Sequence, residues 1–194
     1  MVRPQDRLAL VITTYERPDA LAAVLASVLL QTLAPAEILI ADDGSGSSTR
    51  EVVEAFIARS DVPVRLVSQP HLGFRVSRLR NLAIAATNMD YLVFIDGDML
   101  LHPKFIADHA RFRRHGFYTQ GVRVHADELR TRQLIADPAQ QPGFWSPGFG
   151  GLRRAYLLHS PPMASMNSSF FLKLALATVW HLALAMALHP SPTQ

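Results

Sequence analysis

Strand-length apolar runs alternate with segments of helical period from Leu8 to Val124, and that alternation narrows the folds open to this chain more than any other feature. Leu8-Ala9-Leu10-Val11-Ile12 reads as a buried strand ending in Thr13-Thr14. Leu21, Val24, Leu25, Val28 and Leu29 then recur at the spacing of a helix that runs to about Gln31. Pro35 separates this helix from a second apolar run, Glu37 to Ala41, which terminates in Asp42-Asp43-Gly44-Ser45. A serine-rich loop suited to capping leads into a second amphipathic segment with Val52, Val53, Ala55, Phe56 and Ile57. Pro63 to Ser68 is polar on alternate positions and predicts a strand nearer a sheet edge.

Gly73-Phe74 opens a helix from Arg75 to Thr87, with Val76, Leu79, Leu82, Ala83 and Ala86 on one face and Arg75, Arg78 and Asn81 largely on the other. Tyr91 to Ile95 reads as a buried fourth strand, followed by a helix carrying Phe105, Ile106, His109 and Phe112 and by a fifth strand candidate from Phe117 to Val124. The pattern predicts an α/β fold, a mostly parallel sheet flanked by helices on both faces.

In such sheets ligands sit outside the carboxyl ends of the strands. Three apolar runs here end in chemistry, namely Thr13-Thr14, Asp42-Asp43 and Asp96-Gly97-Asp98, and parallel strands would bring these ends to one rim. Asp-Gly is also a common turn dipeptide, so the last tripeptide alone is equally an ordinary turn. Three ends alike favour a ligand site. Gly97 would permit close backbone approach, and the hard carboxylate oxygens of Asp96 and Asp98 suit Mg²⁺ or Mn²⁺.

At 194 residues and 49% hydrophobic, the chain has room for one domain with a packed core. It contains no cysteine, which excludes disulfides and thiolate metal sites and fits a reduced cytoplasmic setting. Met1 to Leu8 does not resemble a secretory signal. The net charge of +3 is unevenly placed: every acid lies at or before Asp137, where basic residues balance them, and only Arg153, Arg154 and Lys173 follow. A neutral body with a basic, apolar tail points to a membrane surface rather than to nucleic acid. The expected layout is an α/β ligand-binding unit over 1–137, a Pro/Gly/aromatic loop or flap over 138–165 and an apolar helical tail over 166–194. Within that tail Ser168 to Leu188 is close to the length of a membrane span, but Lys173 and His181 disfavour insertion, and a packed or interfacial helix fits its Ala/Leu content equally.

These motifs resemble the family 2 glycosyltransferases, whose nucleotide-sugar-binding domain has the Rossmann-like GT-A fold. The resemblance covers roughly Leu8 to Val124. It rests on Thr13-Thr14-Tyr15-Glu16-Arg17-Pro18, Ala41-Asp42-Asp43-Gly44-Ser45, Gly73-Phe74-Arg75 through Arg80-Asn81, and Asp96-Gly97-Asp98, in that order. It implies that Thr13, Tyr15 and Asp42 or Asp43 hold the nucleobase and ribose, and that Arg80 and Asn81 approach the diphosphate. Asp98 would bind the metal, with Asp96 sharing the ion or holding the ribose and donor sugar. A UDP-sugar is the favoured donor and a glycan or lipid-linked molecule the acceptor, in cell-envelope polysaccharide assembly. Glu16 departs from the family, where asparagine is more usual.

An inverting transferase needs a general base at the acceptor hydroxyl, and in the family this is an acid in a later segment near a tryptophan. No acid follows Asp137, so Asp127, Glu128 and Asp137 are weak candidates, with His125 or His159 as further ones. The expectation is a chain shortened relative to its family, lacking the acceptor/base segment, or one whose tail after about Ser160 derives from a shifted reading frame. Two rivals to the transferase stand: a nucleotide-sugar-binding module without competent acceptor chemistry, and a membrane-associated structural protein.

Overall fold

The computed structural model describes residues 7–113, 117–119, 122–140 and 184–187. In chain order its elements are β1 (Leu8–Thr14), α1 (Pro18–Leu29), β2 (Glu37–Asp42), α2 (Ser47–Ile57), β3 (Val64–Ser68), α3 (Val76–Ala85), β4 (Tyr91–Asp96), β5 (Met99–Leu101), α4 (Phe105–Phe112), β6 (Val122–His125), α5 (Glu128–Ala136) and β7 (Leu184–Ala187).

Four strands form a wholly parallel sheet in the order β3-β2-β1-β4. The chain therefore steps outward from β1 to β3 and returns to the other side of β1 with β4, so the order reverses between β1 and β4. Ligand crevices form at such reversals. Thr14 stands opposite Asp42, Thr13 opposite Asp96 and Asp42 opposite Ser68, so the polar strand ends lie in register along one rim.

The two-residue period of a strand sorts the core into two halves. Leu8, Leu10 and Ile12 of β1, with Ile38 and Ile40 of β2 and Val93 and Ile95 of β4, pack against Leu21, Val24, Leu25 and Val28 of α1 and Val53 and Phe56 of α2. The alternate residues, Ala9, Val11, Leu39 and Ala41, pack against Leu79 and Ala83 of α3. The sheet is thus covered on both faces, as the alternation of strands and helices predicts.

β3 ends the sheet, as its polar alternation predicts. The reading of Tyr91–Ile95 as a fully buried strand is corrected. β4 stands at the other end of the described sheet, with Tyr91 and Leu92 half-buried and Phe94 exposed. Its even-numbered side chains face the α3 layer, and α3 packs chiefly over β1, β2 and β3.

A second sheet has the order β5-β7-β6, with β7 antiparallel to β5 and parallel to β6. This corrects two expectations. The fifth strand candidate is preceded by the short β5, and its strand, β6, begins at Val122 rather than Phe117. Leu184–Ala187, expected within an apolar helix, is a strand. The rest of that tail, and the flap beyond Gln140, lie outside the described residues. Among the described residues no helix is long and apolar enough to cross a membrane.

The segment after the Asp-Gly-Asp turn is tied to the end of α1. Buried Ser27 accepts a hydrogen bond at Oγ from the Leu101 N–H at 3.1 Å. Gln31 donates from Nε2 to the His102 carbonyl at 2.9 Å and accepts at Oε1 from the Ile106 N–H, at the start of α4, at 3.1 Å.

Candidate functional site

Thr14 is where two of the polar loops meet. Its carbonyl accepts from the Asp43 N–H at 3.0 Å, and its side chain lies 3.1 Å from where a β-carbon on Gly97 would stand. That β-carbon would also approach the Thr13 carbonyl oxygen to 2.9 Å, and the Gly97 N–H donates to the same oxygen at 2.6 Å. Gly97 is therefore required by space, as the sequence predicts. The Asp-Gly-Asp turn is pressed against the end of β1, with one acid on each side of the contact.

Asp96 faces α3. Its Oδ1 accepts from Thr13 Oγ1 at 3.1 Å and from Arg80 Nη2 at 3.0 Å. Thr13 also donates to the Ile95 carbonyl at 3.3 Å, so its hydroxyl is engaged in holding the end of β4. Asp98 is half-buried on the same turn, and Asn81 is exposed beside Arg80 on α3.

Strand parity separates the two acids at the end of β2, which the sequence left as alternatives. Asp42 continues the face of Ile38 and Ile40. Its carboxylate accepts from the Gly44 N–H at 3.2 Å, the Ser45 N–H at 3.0 Å and the Ser45 hydroxyl, so it folds its own turn. Gly44 is held at φ +84, and a β-carbon there would come within 2.7 Å of the His71 backbone nitrogen. Asp43 continues the face of Leu39 and Ala41, and its carboxylate accepts from Gln69 Nε2 at Oδ1 and from His71 Nδ1 at Oδ2, the latter at 2.9 Å. Burial alone would raise the Asp43 carboxyl. The hydrogen bonds from Gln69 and His71, with the electrostatic pull of His71 and Arg75, outweigh it and hold the group below the usual carboxylate range.

The His71 ring in turn stacks flat on Tyr15, with centroids 4.1 Å apart and planes 11° apart. Tyr15 keeps 44% of its surface exposed. One network thus joins the loops after β1, β2 and β3. Glu16 has φ +49, a left-handed conformation in which asparagine is enriched. The glutamate instead uses its carboxylate, which accepts from the Gly46 N–H at 2.7 Å at the start of α2.

Among buried side-chain nitrogens and oxygens without a partner in the described residues, Thr14 Oγ1, Arg17 Nη2, Arg75 Nε and Arg80 Nε all belong to these loops and α3. Unpaired buried polar groups are costly and call for a partner. Guanidinium groups of this kind suit a ligand rich in acceptor oxygens. The two carboxylates of the Asp-Gly-Asp turn suit Mg²⁺ or Mn²⁺, which one or two carboxylates hold together with substrate phosphates. Gly97, whose missing β-carbon lets the turn close on β1, holds the two acids one residue apart at that strand end. Among the described residues no group of three His, Asp or Glu side chains could hold an ion unaided.

The weak base candidates have structural tasks around α5. Asp127 caps the helix by accepting from the Arg130 N–H at 2.8 Å, Glu128 pairs with Arg132 and Asp137 accepts from the Ala139 N–H at 3.1 Å. Sequence reasoning missed Gln69 and His71. They follow the end of β3, so the strand-end rule that found the other three loops extends to them.

A parallel sheet with its order reversed at β1/β4, flanked by helices on both faces, is the architecture of the GT-A fold. The fold is similar to that of a mannosyltransferase, PcManGT from Pyrobaculum calidifontis, solved in complex with GDP-Man and Mn²⁺ (TM-score 0.50, 19% identity, 67% of this chain and 37% of that one). The family profile "Glycosyl transferase family 2" matches residues 9–180, and the chain belongs to that family. It is 34% identical over 102 residues to a chondroitin synthase of Escherichia coli and 35% identical over 101 residues to a validoxylamine A glucosyltransferase of Streptomyces hygroscopicus subsp. limoneus. These matches cover 52% and 51% of this chain but span only 15% and 22% of the relatives' own lengths.

Proposed function

We propose that this chain transfers a sugar from a nucleotide-sugar donor, UDP-linked by preference, to a glycan or lipid-linked acceptor with the help of a divalent cation. It would do so in cell-envelope polysaccharide assembly, in the cytoplasm or at the inner face of the membrane. The observation that carries this reading is that Thr13, Asp96 and the guanidinium of Arg80 meet at the β1/β4 reversal, with Asp43 on the same rim, its N–H bonded to the Thr14 carbonyl.

Each residue has a defined task on this reading. Asp43 accepts from the imide N–H of the base, and Tyr15, backed by His71, offers a ring face for stacking. Arg80, aligned by Asp96, meets the diphosphate. Asp98, with Asp96, would hold the cation, which when bound stabilises the charge that builds on the departing diphosphate. The cation's identity, Mg²⁺ or Mn²⁺, follows equally from the donor set.

A second reading, donor binding without competent acceptor chemistry, is favoured by the engagement of Asp127, Glu128 and Asp137 in the ends of α5. Calorimetry with UDP and Mn²⁺, followed by a donor hydrolysis screen across nucleotide sugars, tests both. Metal-dependent binding with turnover supports the transferase and binding without turnover the module. No binding overturns both and leaves the membrane-associated structural protein.

A further inference from the structure

Gln69 carries no charge and belongs to none of the motifs quoted for the family, yet it exposes only 3% of its surface and every polar atom of its side chain is used. Nε2 donates to Asp43 Oδ1 and, at 3.4 Å, to the Arg75 carbonyl, while Oε1 accepts from Arg78 Nη1 at 2.8 Å. The amide has one sensible orientation. Reversing it would set its carbonyl against the Asp43 carboxylate and its amino group against a guanidinium.

We infer that Gln69 is a positioning residue of the donor site, which aims the Asp43 carboxylate at the nucleobase and couples it to the arginine-bearing helix α3. The inference rests on the donor reading above. Gln69 fixes Oδ1 and His71 fixes Oδ2, so the carboxylate plane cannot rotate, and its remaining lone pairs meet the base without a further loss of freedom. The same contact links the nucleobase end of the site to the helix that presents Arg80 to the diphosphate end. The ionisable groups around this pair are His71 on its own loop, Arg75 and Arg78 on the α3 side, Asp42 beside Asp43, and Tyr15 stacked on His71.

The test is calorimetric titration of the full chain with UDP and Mn²⁺ from about pH 5 to about pH 8, with affinities read as ratios to the wild type at each pH. In Gln69→Glu the introduced carboxylate repels Asp43, so affinity falls about tenfold or more at the alkaline end. The ratio recovers as the pH falls, because the protonated carboxyl can again donate to Asp43. In Gln69→Leu the donor is lost at every pH, and the ratio stays low throughout.

Melting temperatures of both variants accompany the titration. A Glu variant that matches the wild type at all pH values overturns the inference. So does a loss in Gln69→Glu that follows melting temperature and ignores pH, since a merely structural role predicts it. A wild-type chain that binds no UDP overturns the donor reading and this inference with it, whereas wild-type binding with indifferent variants overturns this inference alone.

Discussion

Arg80 Nη2 lies 3.0 Å from Asp96 Oδ1, and Thr13 donates to that same oxygen from the neighbouring strand. A guanidinium from α3 is thereby fixed over the exact end of the strand pair where the sheet order reverses. The two side chains are 40% and 38% exposed, so the pair contributes at most about 1 kcal/mol to stability. Its expected value is in orientation. Arg80→Ala should leave the melting temperature within a few degrees while weakening UDP binding by about tenfold or more. A double-mutant cycle with Asp96→Asn should give a coupling of about 0.5–3 kcal/mol in binding free energy. Strict additivity would show that the two act separately.

Asp98→Ala tests whether metal binding can be separated from folding. Asp98 is half-buried on the turn after β4, so Asp98→Ala opens no core cavity, and the melting temperature should change little. UDP affinity in Mn²⁺ should drop to the level seen with a chelator present, and the chelator should then have no further effect. Retained metal dependence in this variant would take Asp98 out of the ion's ligand set.

The sheet was legible because its central strands are buried on both faces and so appear as continuous apolar runs, as at Leu8–Ile12 and Glu37–Ala41. The rim of polar strand ends was legible because polar residues end those runs. What sequence could not supply was parity. Asp42 and Asp43 are adjacent and chemically identical, and only the facing of Ile40 toward α1 and α2 and Ala41 toward α3 assigns one to the turn and the other to the crevice. β5 and β7 escaped for another reason: they are three and four residues long and pair with each other across more than eighty positions of sequence. Short strands of this kind are defined by their partners rather than by their own residues.

Gly97 allows the most local prediction. A β-carbon there would stand 2.9 Å from the Thr13 carbonyl oxygen, a backbone atom that cannot swing aside. Gly97→Ala should cost about 1–3 kcal/mol of stability, in line with overpacking elsewhere, and should weaken metal-dependent UDP binding by displacing both acids of the turn. Gly73→Ala is the control. Its β-carbon would meet nothing within 4 Å, although its φ of +77 strains any side chain, so it should lower stability without a selective loss of metal dependence.

His109 gives the chain a stability that declines in mild acid. It lies in α4, 4% exposed, with Nδ1 3.0 Å from the Tyr91 hydroxyl and its ring 4.9 Å from that of Phe105. Burial lowers its pKa from 6.5 to about 4. Between those values the unfolded chain takes up a proton that the folded chain refuses, so acidification favours unfolding. The penalty begins as the pH falls through 6.5, grows to roughly 3 kcal/mol near pH 4 and is constant below that. Asp43, whose carboxyl is held low, adds its own loss only as the pH falls below the ordinary carboxylate value of 3.8. Chemical denaturation across this range should therefore show stability falling well above the carboxylate titration. His109→Phe, which keeps the aromatic packing and cannot protonate, should flatten the curve between pH 6.5 and about 4 while leaving the decline below it. An unchanged curve in that variant would assign the acid sensitivity to another group.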